Sequence, residues 1–266
     1  MRNHDDLTRD ELEQFDREGY VFLGRVLTDD ERAALQRRLD QIMLGTVRYE
    51  GLRAQSHRLG TISDGDAWDS TLAYRKIGCL YLDDLFLTYF QKPLFRNIAR
   101  HFIGADVALQ RDMLFNNYPH EGGIGFHQDG GENWNRAYDP DPVITIWTAL
   151  DCATVRNGCV QVIPGTHKTL IPLAQVSDVV SRHSTVPLEV EAGEAILLHN
   201  WTLHGSERNE SEEPRRAVTV CYCDALLRQE GEPVNPPRVF GRGAMRPGVP
   251  RSAAEVTGGG ETMMTR

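Results

Sequence analysis

Apolar positions over the first hundred residues recur at helical spacing, whereas from residue 106 onward they fall into short runs of Val, Ile, Thr and aromatics divided by Gly, Pro, Asn and Asp. Two Thr-x-x-Glu sequences, Thr8 to Glu11 and Thr28 to Glu31, each open a helical stretch. In such a pair the threonine oxygen and the glutamate carboxylate take up backbone N–H groups that a helix start leaves unpaired. The first helix should end near Gly19, ahead of a short strand through Tyr20, Val21, Phe22 and Leu23. The second carries Leu35, Leu39, Ile42 and Met43 on one packing face. Residues 45 to 75 are rich in Gly, Ser, Asp and Arg with weak periodicity and predict a long loop beside something functional. A third helical block runs from Asp84 to Gly104, with Leu85, Phe86, Tyr89, Phe90, Leu94, Ile98 and Phe102 as its buried stripe and Pro93 dividing it in two.

The β region predicts strands near Val107 to Asn116, Val143 to Leu150, Cys159 to Ile163, Val186 to Val190, Ala195 to His199 and Ala217 to Asp224. No long helix separates them, so a parallel sheet, which needs crossovers of a dozen or more residues, is excluded. The fold expected is mainly β with peripheral helices, an antiparallel jelly roll with the amino-terminal helices packed outside. One domain is expected over residues 1–241, helical to about 105 and jelly-roll core over 106–230. Residues 242–266 have hardly any large apolar side chains and predict a flexible tail.

Composition narrows the partners. The 266 residues carry 29 Lys and Arg against 38 Asp and Glu, a formal charge of −9, so no global basic field draws in nucleic acid or an acidic membrane surface. No run of apolar residues is long enough for a secretory signal or a membrane span. Five cysteines with no CxxC and no zinc spacing fit a reducing cytoplasm, and Cys221 and Cys223 read as buried small hydrophobes on one strand face. Oligomeric state is not legible.

Phosphate-loop, dinucleotide, GxSxG and HExxH motifs are absent. What remains is a distribution of His and Asp. His127-Gln128-Asp129 is a weak signal alone, since His4-Asp5-Asp6 supplies a chance match. On a strand, however, residues two apart project to one face, so His127 and Asp129 can be adjacent ligands of one metal. His204 is the best third ligand. Two His and one carboxylate leave three positions open, an arrangement typical of non-haem Fe(II) oxygenases. Asp129, by occupying the position a halide would need, points to hydroxylation-type chemistry. Arg215, opening the last long strand, suits the distal carboxylate of an oxo-acid cosubstrate, and Ser206 offers a second hydrogen bond.

The segments FHQDGG, ITIWTALDCATVRNGCVQVIPGTHK, GEAILLHNWTLHGSERN and PRRAVTVCYCDA, with the amino-terminal FDREGYVFLGRVLTDDERAALQRRLD, agree in order and spacing. By these the chain resembles the phytanoyl-CoA dioxygenase family of Fe(II)/2-oxoglutarate-dependent oxygenases, over most of its length. The resemblance implies a double-stranded β-helix of the cupin-like jelly-roll type, with Fe(II) held by His127, Asp129 and His204. It also implies 2-oxoglutarate on Arg215 and Ser206 beside Trp147, with Gln110 and Asn116 as further cosubstrate or substrate contacts. Splitting of 2-oxoglutarate to succinate and CO₂ would then drive oxidation of a small substrate by O₂: hydroxylation, cyclisation, desaturation or epoxidation.

His199 competes with His204 but lacks the Gly-Ser that follows the family's ligand, and it reads as a buried neighbour. Arg216 should face away from Arg215, as a surface charge. His120 and His167 have no assigned partner. The loop GENWNRAYDPDP, with Glu132, Trp134, Asn135 and Tyr138, suits a hydroxylated, sugar-like substrate and a secondary-metabolite tailoring role. The rival readings are a non-catalytic metabolite-binding jelly roll and a metal-dependent hydrolase using the same ligands.

Overall fold

The structure, a computed structural model, describes residues 1–56, 60–62 (backbone only), 68–130 and 138–249. Helices α1 (Arg9–Glu18) and α2 (Asp29–Met43) each begin in a complete capping box, on Thr8 with Glu11 and on Thr28 with Glu31. Between them runs β1 (Tyr20–Arg25). Gly19 closes α1 at φ 82°, and a Cβ there would lie 2.3 Å from Thr202 Oγ1 and 2.5 Å from the His167 ring. Its carbonyl accepts from the His199 N–H and the Thr202 hydroxyl, each at 2.8 Å, so the end of α1 is tied to the turn that leads into the site.

The expected loop at 45–75 contains strands: β2 (Arg53–Ser56), β3 (Gly60–Ile62) and the start of β4 (Tyr74–Gly78). Its pattern was unreadable because the side chains that β2 buries are the small Ala54 and Ser56. Helices α3 (Asp84–Phe90) and α4 (Pro93–Phe102) follow, divided at Pro93, the first residue of α4.

The remaining elements are β5 (Val107–Asn117), β6 (Ile124–His127), β7 (Tyr138–Asp139), β8 (Ile144–Ala149), β9 (Val160–Ile163), helix α5 (Val176–Arg182), β10 (Val186–Pro187), β11 (Glu194–His199), β12 (Leu203–Ser206), β13 (Arg215–Asp224), β14 (Arg228–Gln229), β15 (Glu232–Pro233) and β16 (Arg238–Phe240). Among the described residues the large sheet has the order β1-β11-β8-β13-β5-β4-β2-β3, with β16 also on β5. A smaller sheet has the order β10-β9-β12-β6, and all these pairings are antiparallel. Two such sheets facing each other form the double-stranded β-helix, or jelly roll.

The large sheet is buried on both faces. Its outer face, with Leu114, Ile144, Ile146, Val218, Val220 and Tyr222, packs against Leu35 and Leu39 of α2 and Phe86, Phe90 and Phe95 of α3 and α4. Its inner face, with Trp147, Ala149, Ile196, Leu198 and Ala217, meets Val160 and Val162 of the small sheet. Arg216 does face away from Arg215, but it is not a surface charge. Its guanidinium bonds Asp151 and reaches Asp40 at 3.0 Å, joining α2 to the outer face. Cys221 and Cys223 are buried, and all five cysteines are free. No helix among the described residues is long and apolar enough to cross a membrane. Residues 242–249, expected to belong to a flexible tail, contact the helices: Met245 is buried, its carbonyl accepts from Gln91, and the Gly248 N–H donates to Asp84. Residues 250–266 lie outside the described residues.

Asp112, on the outer face of β5, is fully buried and accepts from the Tyr81 N–H at 3.1 Å. Burial pushes its carboxyl up to about 7. Between an unfolded value near 4 and this one, the native state holds a proton that the unfolded chain releases, so stability falls as pH rises through that window. The slope has a ceiling of about 1.4 kcal/mol per pH unit. Urea unfolding at pH 5 and pH 8 should show the decline, and Asp112→Asn should flatten it.

Candidate active site

Strand β12 lies between β9 and β6, with His204 directly opposite His127. Their rings are 4.4 Å apart between centroids. Each imidazole is fixed in the same way, Nδ1 bonding the carbonyl two residues earlier: His127 to Gly125 at 2.9 Å and His204 to Thr202 at 2.8 Å. A carbonyl can only accept, so each Nδ1 carries the proton and each Nε2 presents a lone pair, the tautomer a metal requires. Burial, then the neighbouring His127, pushes His204 down to about 4, which keeps it neutral at physiological pH.

Asp129 completes the cluster, but not from a strand position. Strand β6 ends at His127, and Asp129 lies just beyond, its N–H donating to the Asn200 carbonyl at 2.6 Å. Asp129 Oδ1 is 3.4 Å from His127 Nε2, and one ligand atom from each of His127, Asp129 and His204 falls within 4.8 Å of the others. Burial alone would raise the Asp129 carboxyl. The Arg111 guanidinium, followed by the two histidines, instead holds it well below the usual range, so it is an anion when buried.

Gln128, between His127 and Asp129, is completely buried. Its amide nitrogen donates to the carbonyls of Thr166, Thr169 and Trp201, and its oxygen accepts from the Ile171 N–H at 2.7 Å. Gly130 follows at φ 147°, where a Cβ would lie 2.7 Å from the Trp201 indole nitrogen. The ligand loop is therefore packed from below by an amide and from behind by an aromatic ring. His199 and His204 belong to different strands and different sheets. His199 stacks on His167 at 5.1 Å, accepts from the Trp201 N–H, and is pushed down to about 4 by burial.

The cluster opens into a cavity of about 450 Å³ that reaches Arg215, Ser206 and Trp147. Arg215 is 4% exposed, with its guanidinium carbon 5.7 Å from the Trp147 ring centroid and Nη2 donating to the Gly158 carbonyl at 2.7 Å. Its Nε has no hydrogen-bond partner, and among the described residues no carboxylate lies within ion-pair distance of it. Burial pushes Arg215 down to about 10, which still leaves it charged at neutral pH. The Ser206 hydroxyl oxygen accepts from the Ile124 N–H at 3.1 Å, so its proton is available to another acceptor.

Gln110 and Asn116 both border the cavity. The Asn116 amide nitrogen is bound to the carbonyls of Leu72 and Tyr74, leaving Oδ1 without a partner, as is Gln110 Oε1. Tyr138 packs with Ala108, Cys223, Ala225 and Leu227 and is not among the cavity-lining residues. Glu132, Trp134 and Asn135 lie outside the described residues. His120 is exposed, 3.2 Å from Glu212.

Arg75, Lys76 and Arg111 border the same cavity and were not anticipated. Lys76 is 8% exposed, and burial, with Arg75 and Arg111 nearby, pushes its amine down to about 8. A charged residue in a strand usually marks the solvent face. Only the pairing of Lys76 with Phe115, and of Arg111 with Cys221, reveals that these point inward.

Residues 15–217 match the model of the family described as phytanoyl-CoA dioxygenase. Phytanoyl-CoA dioxygenase domain-containing protein 1 of Bos taurus is 28% identical over 267 residues, covering 82% of this chain and 91% of the relative. The peroxisomal phytanoyl-CoA dioxygenase of the same organism is 23% identical over 242 residues, covering 84% and 71%. Similar solved structures include EctD from S. alaskensis with bound Fe, at TM-score 0.68 and 18% identity over 89% of this chain and 82% of that one. The carbocyclase SnoK from nogalamycin biosynthesis aligns at TM-score 0.65 and 22% identity over 86% and 93%. With three-quarters of its length in the family match and a jelly roll to carry it, the chain belongs to the phytanoyl-CoA dioxygenase family, and is a 2-oxoglutarate-dependent non-haem iron dioxygenase.

Proposed function

We propose that Fe(II) is held by His127 Nε2, Asp129 and His204 Nε2, and that 2-oxoglutarate places its distal carboxylate on Arg215 and Ser206 against the Trp147 ring. The observation that carries this reading is the buried Arg215, with no carboxylate within ion-pair distance among the described residues, in the cavity that contains the two-histidine-one-carboxylate cluster. A buried unpaired charge is costly, and a dianionic ligand removes that cost. The donor set agrees: three ligands on one side leave three positions for a chelating oxo-acid and O₂. Gln110 and Asn116 border the same cavity.

Bound there, the iron would let O₂ act as the oxidant: one oxygen atom would go to the succinate formed as 2-oxoglutarate loses CO₂, and the other would accept the two electrons of a substrate C–H bond, ending in the product hydroxyl or in water. The chain's own contribution is positional. The carbonyls of Gly125 and Thr202 keep both imidazoles turned toward the metal. Arg215 and Ser206 set the direction from which the oxo-acid reaches it. The apolar walls from Phe115, Phe126, Val160 and Leu198 limit water around the reacting carbon.

The substrate we propose is a small polar metabolite, oxidised in a secondary-metabolite tailoring step. A cavity of about 450 Å³ shared with 2-oxoglutarate, bordered by Arg75 and Gln110, supports a compact, polar molecule. Two similar proteins have been solved with small-molecule ligands, EctD with 2-oxoglutarate and 5-hydroxyectoine and SnoN with Fe³⁺, alpha ketoglutarate and nogalamycin RO, and the first is a compact polar molecule of the kind proposed. The expected preference for a sugar-like substrate rests on the loop with Glu132, Trp134 and Asn135, outside the described residues.

Anaerobic addition of Fe(II) and 2-oxoglutarate should produce a visible metal-to-ligand charge-transfer band, and His204→Ala should abolish it. No band, together with no succinate formed in air and activity on a hydrolysable substrate with zinc, would replace this reading with the hydrolase. Arg215→Met should raise the KM for 2-oxoglutarate by about 30-fold or more, the scale for removing one partner of a buried charge pair, with Fe(II) affinity unchanged. Turnover of a metabolite library followed by product mass separates gain of one oxygen from loss of two hydrogens.

A further inference from the structure

The two oxygens of Asp129 are not equivalent. Oδ1 lies among the ligand atoms of the cluster, 3.4 Å from His127 Nε2. Oδ2 accepts a short charge-assisted hydrogen bond from Nη2 of Arg111. Arg111 is on the inner face of β5 opposite Cys221, next to an irregularity in register where β13 passes from Cys221 to Tyr222. Its side chain is 18% exposed and that of Asp129 is 8% exposed. The Asp129 backbone is held separately, by the Asn200 carbonyl. Backbone and one oxygen are therefore both fixed, and the carboxylate has only its other oxygen to offer a metal.

We infer that Arg111 is a positioning residue that keeps Asp129 a one-oxygen ligand and thereby keeps a coordination position open. The inference rests on the ligand assignment proposed above. Two imidazoles, one carboxylate oxygen and a chelating 2-oxoglutarate fill five of six octahedral positions, and the sixth is where O₂ must enter. A carboxylate free to bind through both oxygens takes that sixth position. Arg111 prevents this without touching the metal, because its Nη2 occupies Asp129 Oδ2.

The test uses nitric oxide as a surrogate for O₂ on the full-length protein under anaerobic conditions, with Fe(II) and 2-oxoglutarate present. Electron paramagnetic resonance reports nitric oxide binding, and the charge-transfer band reports metal and cosubstrate. Arg111→Ala should retain the band while losing at least tenfold in nitric oxide affinity, and guanidinium ion added to solution should restore that affinity. Guanidinium rescue is an outcome that a merely structural role would not give. If the alanine variant does not fold, Arg111→Gln gives the same comparison with the charge removed. A wild-type band with nitric oxide affinity in the variant within twofold of wild type overturns the role of Arg111 alone. A wild-type protein with no band overturns the ligand assignment, and this inference with it.

Discussion

The register between β6 and β12 decides where the chemistry is. With His204 opposite His127, two imidazoles from distant parts of the chain arrive on one face of the small sheet, and Ser206, two residues on, arrives on the same face. A slip of one residue would turn both His204 and Ser206 to the opposite side. Several independent contacts resist that slip: the Ile124 N–H bonds the Ser206 hydroxyl, β9 pairs with the other edge of β12, and the turn before it is held by the carbonyl of Gly19. The grouping of His127 with His204 and the placing of Ser206 beside them are thus consequences of one strand alignment.

The large sheet supplies the opposite wall, and its double burial explains why. Covered outside by helices and inside by the small sheet, it has no solvent face on which to leave a charge unopposed. Every charged residue along β13 and β5 is accordingly engaged or aimed at the cavity: Arg216 to Asp151 and Asp40, Arg111 to Asp129, and Arg215 toward the space where an anion fits. The protein is acidic overall, yet among the described residues the cavity is lined by Arg75, Lys76, Arg111 and Arg215 against one carboxylate, that of Asp129. Net charge and site charge have opposite signs.

Much of this was legible in the residues. Capping boxes mark both amino-terminal helices because the bonds involved are local, and the strands of the jelly roll announce themselves through β-branched runs bounded by turn residues. His127, Asp129, His204 and Arg215 were nameable in advance because their types and order are restrictive. Strands β2 and β3 were not, since Ala54 and Ser56 give no alternation of large apolar residues. Arg111 and Lys76 were equally invisible: whether a strand cation points to water or to a metal site depends on what covers the sheet. Asp129 was expected on a strand, but the strand stops at His127, and hydrogen bonds to the Asn200 carbonyl and the Arg111 guanidinium hold it instead.

Gln128 reaches only main-chain atoms: three carbonyls and one N–H, on Thr166, Thr169, Trp201 and Ile171. Any residue can serve as partner to Gln128 at those four places, except that proline at 171 would remove the N–H. Leu173, which borders the cavity just beyond Ile171, can therefore change without loosening the loop that carries His127 and Asp129, whereas Thr166, whose hydroxyl accepts from the Leu203 N–H, cannot. The chain keeps a rigid reacting centre beside a wall whose chemistry is free to drift, which is a route by which one scaffold acquires new substrates while its oxidation machinery stands still.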